Sequence, residues 1–156
     1  MKRLGITIVL AMCLFSYSNA QDYNTGIGLR AGYTNGLTVK HFIGSKVALE
    51  GILSSRWEGV EITGLYEVQN RAFNTERLDW FIGFGAHVGF WNGDHTNWGN
   101  RGESYTVVGV DGILGLEYNF REVPINIGID WKPELNFSGY SGFWGDNGAI
   151  SIRYIF

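Results

Sequence analysis

Four scarcities limit what this chain can be. Cysteine occurs once, at Cys13, which excludes a disulfide-stapled scaffold and a cysteine-rich metal centre. Proline occurs twice, and charged residues make up 17% of the 156 positions against 45% hydrophobic ones. A chain so apolar and so poor in charge is not disordered. Lysine is rarer still: beyond residue 20 only Lys40, Lys46 and Lys132 remain, and the formal net charge is -3. A polybasic nucleic-acid surface is therefore excluded, and no nucleic acid is expected as a partner. Long apolar runs are missing as well. Beyond residue 20 none approaches the roughly 18 residues of a spanning helix, so any membrane crossing must use strands.

Residues 1–20 read as a cleaved export signal. Lys2 and Arg3 form a short basic start, Ile6 to Phe15 an apolar stretch, and Ser18-Asn19-Ala20 a small-x-small cleavage site. Cys13 leaves with this leader, as do two of the 12 basic residues and none of the 15 acidic ones. A rival reading takes Leu10-Ala11-Met12-Cys13 as a lipidation motif, but the apolar stretch before Cys13 is short and the Ser-Asn-Ala site is good. Residues 21–156 then form one domain.

What is abundant in that domain is glycine and aromatic side chains, with 23 Gly, 10 Phe, 8 Tyr and 6 Trp in the chain. They are arranged with period two almost from end to end, which predicts strands and no amphipathic helix. The pattern gives eight strands, at 23–33, 37–43, 47–57, 60–70, 78–91, 105–120, 125–137 and 148–156. Leu78, Trp80, Ile82, Phe84, Ala86, Val88 and Phe90 share one face of the fifth, with Asp79, Phe81, Gly83, Gly85, His87, Gly89 and Trp91 on the other. Each strand thus has an oily, aromatic face and a face of glycine and charge. The expected fold is all-β, an eight-stranded antiparallel up-and-down transmembrane barrel.

A soluble ligand-binding barrel is apolar within, whereas a membrane barrel is apolar without. Glycine on the polar face suits a crowded lumen better than a solvated exterior. The scarcity of lysine argues the same way, because soluble sheets coat themselves with mixed charge. Aromatics gather near strand ends, with Tyr23, Trp80, Tyr118, Phe120, Tyr154 and Phe156 at one rim and Tyr33, Trp57, Phe90 and Phe137 nearer the other, as in bilayer girdles. Connections alternate: 44–46, 71–77 and 121–124 are short, and the two longest, 92–104 and 138–147, fall on the opposite side.

The closing strand Ile150-Ser151-Ile152-Arg153-Tyr154-Ile155-Phe156 alternates apolar residues up to a C-terminal Phe. With the segment from Val123 to Pro133, it resembles small eight-stranded outer-membrane barrels of the outer membrane protein X and outer membrane protein A barrel type, including a large uncharacterised group. The resemblance covers residues 21–156. It implies the bacterial outer membrane as location, its lipids and lipopolysaccharide as surroundings, and the barrel assembly machinery as a partner that reads Tyr154 and Phe156. It implies little about function.

Parity points Arg30, Lys40, Arg56, Lys132 and Arg153 inward, with Glu50, Glu61, Glu67, Asp79, Asp111, Glu117, Asp130 and Glu134. Side chains can fill an eight-stranded barrel, so these ions must pair. If Val47 opposes Ile43, Lys40 faces Glu50; if Val60 opposes Trp57, Arg56 faces Glu61. A plugged lumen follows, with a narrow ion-conducting channel as the alternative. Of His41, His87 and His95, the last lies with Asp94, Glu103 and Ser104 in a long loop, a second alternative being a lipid-active enzyme. No nucleophile motif accompanies it, and no enzymatic activity is expected. His87 is expected to be a hydrogen-bonding lumen residue and His41 an interfacial one. Three scattered histidines predict no metal centre, Asp94 and Asp146 are weak calcium donors, and Gly26-Ile27-Gly28 runs on as strand rather than opening a phosphate loop. No cofactor is expected. Trp98, Tyr140, Phe143 and Trp144 in the long loops offer an aromatic surface for an extracellular protein or glycan, or for lipopolysaccharide.

Overall fold

The computed structural model describes residues 23–96, 99–139 and 141–156; the leader, Trp98 and Tyr140 lie outside them. Ten strands follow in order: β1 Thr25–Gly32, β2 Asn35–Phe42, β3 Val47–Arg56, β4 Gly59–Arg71, β5 Leu78–Asn92, β6 Ser104–Asn119, β7 Ile125–Trp131, β8 Glu134–Ser138, β9 Gly142–Trp144 and β10 Gly148–Ile155. A short 3-10 turn, Gly93–His95, follows β5.

Each of β1 to β5 pairs antiparallel with the next, β5 pairs with β6, β6 with β7, β7 with β10, and β10 returns to β1. The sheet is therefore a closed eight-stranded antiparallel barrel with no free edge. Two short strands are extra to it. β8 takes up the register of β7 along β6, with Leu114 opposite Trp131 and Asp111 opposite Glu134, until a shift between Gly109 and Val108, and β9 folds back on β8.

The expected strands match within about two residues except the seventh, which is interrupted at Lys132-Pro133. Proline has no N–H to donate, so the ladder breaks there, although the Pro133 carbonyl still accepts from the Gly112 N–H at 2.9 Å. The 138–147 loop also contains β9.

Period-two sequence has become two opposed surfaces. Along β4, Val60 and Ile62 face outward and exposed while Glu61, Thr63, Leu65 and Glu67 are buried. The outer face of the barrel carries Leu29, Phe84, Ile129, Ile152 and similar side chains, all more than half exposed. Among the largest fully buried side chains are Arg30, Arg153, Lys40 and Lys132. Tyr23, expected on an outer rim, turns inward instead: it is 7% exposed, and its hydroxyl donates to Glu117 Oε1 at 2.8 Å.

Candidate functional site

The interior is built in layers. Toward the end that carries β1's start and β10's finish, Arg153 reaches Glu50 Oε1 at 2.6 Å and lies 3.7 Å from Glu117, while Lys40 Nζ sits 2.9 Å from Glu67 and 3.0 Å from Glu117. Thr38 donates to Glu50, and Gln69 donates to Glu117 at 2.8 Å. Asn126 accepts from Arg153 at 3.2 Å. Buried ions require such pairing, and Glu50 Oε2 and Glu67 Oε1 are left without a hydrogen-bond partner among the described residues.

Above this cluster, Ile52, Leu65, Phe81 and Ile113 pack together in the interior. Each comes from a different one of the neighbouring strands β3 to β6. On β4, Leu65 separates Glu67 below from Thr63 and Glu61 above; on β3, Ile52 separates Glu50 from Ser54. An apolar partition thus divides the charged layers on that side. On the opposite wall Arg30 and Asp130 pair at 2.5 Å.

Toward the loop end, Lys132 Nζ lies 3.3 Å from Glu61, 3.0 Å from Asp111 and 2.6 Å from Glu134. His87 Nδ1 lies 3.0 Å from Asp111 Oδ2. Asn147 donates to Glu134 and accepts from Thr34 at 3.4 Å.

The mouth is capped by aromatic rings. Trp91 is 4% exposed and lies across the backbone of Gly59 and Gly89, where any β-carbon would collide with the indole. Its Nε1 donates to the Arg56 carbonyl at 3.0 Å. Trp144 stands edge-on to both Trp57 and Trp91 at ring distances of 5.9 and 6.0 Å. The Arg56 guanidinium stacks 3.6 Å from the Tyr33 ring and 3.5 Å from that of Trp57, a cation–π clamp. A hydrogen bond to Asp146 pushes the Tyr33 hydroxyl above its ordinary pKa.

Two expected pairings change. Lys40 does oppose Glu50 across β2 and β3, but its ammonium binds Glu67 and Glu117, and Glu50 binds Arg153. Arg56 does not face Glu61. The β3–β4 hairpin turns on Trp57 and Glu58 alone, both with positive φ (51° and 58°), so Arg56 opposes Gly59 and Ser54 opposes Glu61. Arg56 therefore sits in the mouth, and Glu61 meets Lys132. Trp144, expected as an exposed loop aromatic, is half-buried in the cap, while Phe143 remains 64% exposed.

The loop histidine is exposed. His95 Nε2 lies 3.2 Å from Glu58 Oε2 and bridges to the β3–β4 turn. Asp94 Oδ1 accepts from the Gly102 N–H at 3.0 Å, and Glu103 accepts from Tyr105 at 2.6 Å and from Asn100 at 3.3 Å. These acids brace the loop. His41 is exposed beside Thr25, Nδ1 to Oγ1 at 2.8 Å. Tyr154 faces outward, 49% exposed, and Phe156 exchanges two backbone hydrogen bonds with Thr25 at 2.9 Å, closing the barrel. A sequence reading misses that His87, Glu61 and Glu134 converge; only the shared inward parity of all three signals it.

No family model, no curated protein and no solved structure matches this chain.

Proposed function

We propose that the protein is an integral outer-membrane barrel with a plugged lumen and a structural or surface-interaction role, without catalytic activity. One observation carries this reading: the barrel is apolar on its outside and ionic on its inside. Water as surroundings would leave side chains such as Phe84, at 69% exposed, and Leu29, at 65%, unburied around the whole circumference. Soluble monomers rarely expose a contiguous apolar surface of that extent, whereas lipid solvates it readily. Against the roughly 9–11 residues of a tilted spanning strand, β3 to β6 are long enough at 10, 13, 15 and 16 residues, whereas β1, β2, β7 and β10 have 8, 8, 7 and 8. The alternation of the closing strand, which resembles that of outer membrane protein X and related small barrels, supports the same location, and Tyr154 and Phe156 are the residues we assign to recognition by the assembly machinery. Lipopolysaccharide and membrane lipid are then the barrel's natural neighbours.

The apolar partition and the mutually paired ions favour a plug over a channel. Phe143 and the neighbouring cap leave an aromatic loop surface for a protein or glycan partner. In cell fractionation the protein is expected in the outer membrane, migrating faster on gels when unheated than when boiled. Recovery as a soluble periplasmic protein contradicts the proposal, and steady single-channel conductance from the refolded barrel contradicts the plug.

A further inference from the structure

The upper layer of the interior is out of charge balance. Glu61, Asp111 and Glu134 surround one ammonium, that of Lys132, and all four side chains are at most 5% exposed. With all three carboxylates ionised the cluster holds two surplus negative charges, which a low-dielectric interior does not tolerate without a further cation or bound protons.

His87 stands beside these carboxylates with a free ligand atom. The residue is 3% exposed; its Nδ1 is held by Asp111, while its Nε2 has no hydrogen-bond partner among the described residues. With the ring hydrogen on Nδ1 donated to Asp111, Nε2 presents a lone pair. One ligand atom each of Glu61, His87 and Glu134 lie within 4.8 Å of one another. Both amide atoms of the buried Asn136 are also without a partner. His87 and Asn136 pack over Gly109, where an added β-carbon would lie 2.6 Å from His87 Cε1 and 2.8 Å from Asn136 Oδ1. Glycine at 109 keeps that space open.

We propose that Glu61, His87 and Glu134 form a binding site for one divalent transition-metal cation inside the barrel, with Asp111 orienting the imidazole and Asn136 close by as a neutral donor. The carboxylate that accepts from the distal ring N–H is the partner that metal-bound histidines use to fix their tautomer. A nitrogen donor beside two carboxylates suits a zinc-like ion better than calcium or magnesium, which take oxygen. The charge closes: a dication together with Lys132 neutralises the three carboxylates, Lys132 retaining Asp111. Bonds of about 2.0–2.2 Å to zinc place ligand atoms roughly 3.3 Å apart, so the three groups close in through side-chain rotation. The Lys132 ammonium lies between Glu61 and Glu134, 3.3 and 2.6 Å from them, and competes with the cation for that position.

The test is titration of the purified, folded full chain, freed of metal by chelator, with Co2+ and then Zn2+. One Co2+ per chain is expected, with the visible absorption of a four-coordinate nitrogen–oxygen site that Zn2+ then abolishes. His87→Gln, which removes the nitrogen ligand itself, should weaken binding by more than the roughly tenfold that loss of an outer-shell partner costs, while Lys132→Met, which removes the competing ammonium, should tighten it. The second variant matters because misfolding does not increase affinity. Heat-shifted gel mobility verifies that each variant folds. Absence of uptake by the folded wild-type chain, binding unchanged in His87→Gln, or binding weakened in folded Lys132→Met overturns the site.

Discussion

Arg153 illustrates how little of a buried ion's partnership is visible in sequence. Parity alone puts it inside, and it is 1% exposed, yet its partner Glu50 is 103 residues away across the lumen. Alternation specifies a face, and local register specifies a neighbour on the next strand. Which head groups meet across the interior depends on strand stagger and side-chain length, which no local pattern encodes. Glu50→Gln and Arg153→Met should each destabilise the barrel by about 3–5 kcal/mol, because each leaves a buried charge unmatched. In urea unfolding of the barrel, a double-mutant cycle should report strong coupling for Glu50 with Arg153 and weaker coupling for Lys40 with Glu50, although the latter pair share a register position. Equal coupling contradicts the assigned network. Glu103 makes a separate residue-scale prediction. Hydrogen bonds from Tyr105, and then from Asn100, hold its carboxyl below the usual glutamate range. A group with a lower folded than unfolded pKa adds stability above its unfolded value and loses it as pH falls through its folded value. Protection of the Asn100 amide, which donates to the Tyr105 hydroxyl at 3.0 Å, should therefore fall on acidification. In Glu103→Gln it should be lower throughout and lack that pH step.

Among the elements, strands were legible and their junctions less so. Period two marks β1 to β6 and β10 because each has one lipid-like and one crowded face. The break at Pro133 leaves no mark on the pattern because Lys132 and Glu134 keep the inward parity on either side of it, and β8 starts in the register of β7. The β3–β4 turn departs from its expected register for a different reason. Two-residue hairpins usually carry Asn-Gly because both central residues need positive φ, and Trp57-Glu58 has neither. The clamp of Arg56 on Trp57 compensates for that backbone. Glu58 is exposed, so its contact with His95 contributes little, whereas left-handed φ costs a non-glycine residue roughly 1–2 kcal/mol. Glu58→Gly should therefore stabilise the barrel by up to about 1 kcal/mol in equilibrium unfolding. A clear loss of stability would show that the His95–Glu58 contact, and not the aromatic clamp, holds the turn.

For the molecule as a whole, sequence conveyed the closed all-β architecture because inside and outside impose opposite compositions on alternate residues. The layered interior needed the structure: Ile52, Leu65, Phe81 and Ile113 all lie on the polar parity, and nothing in their spacing announces that they meet. Removal of Phe156 should lower the amount of assembled barrel far more than Phe143→Ala, because Phe156 closes the ladder on Thr25 while Phe143 stands exposed in β9; quantitative fractionation of the two variants decides this. The central claim is that lipid surrounds the apolar face while the ionic face is sealed inside. Quenching of single-tryptophan variants by bromine on lipid acyl chains tests it most directly, using the outward Trp131, at 47% exposed, and the inward Trp91, at 4%. In bilayers Trp131 should be strongly quenched and Trp91 hardly at all. Trp131 untouched by brominated lipid yet quenched by aqueous iodide would contradict the account.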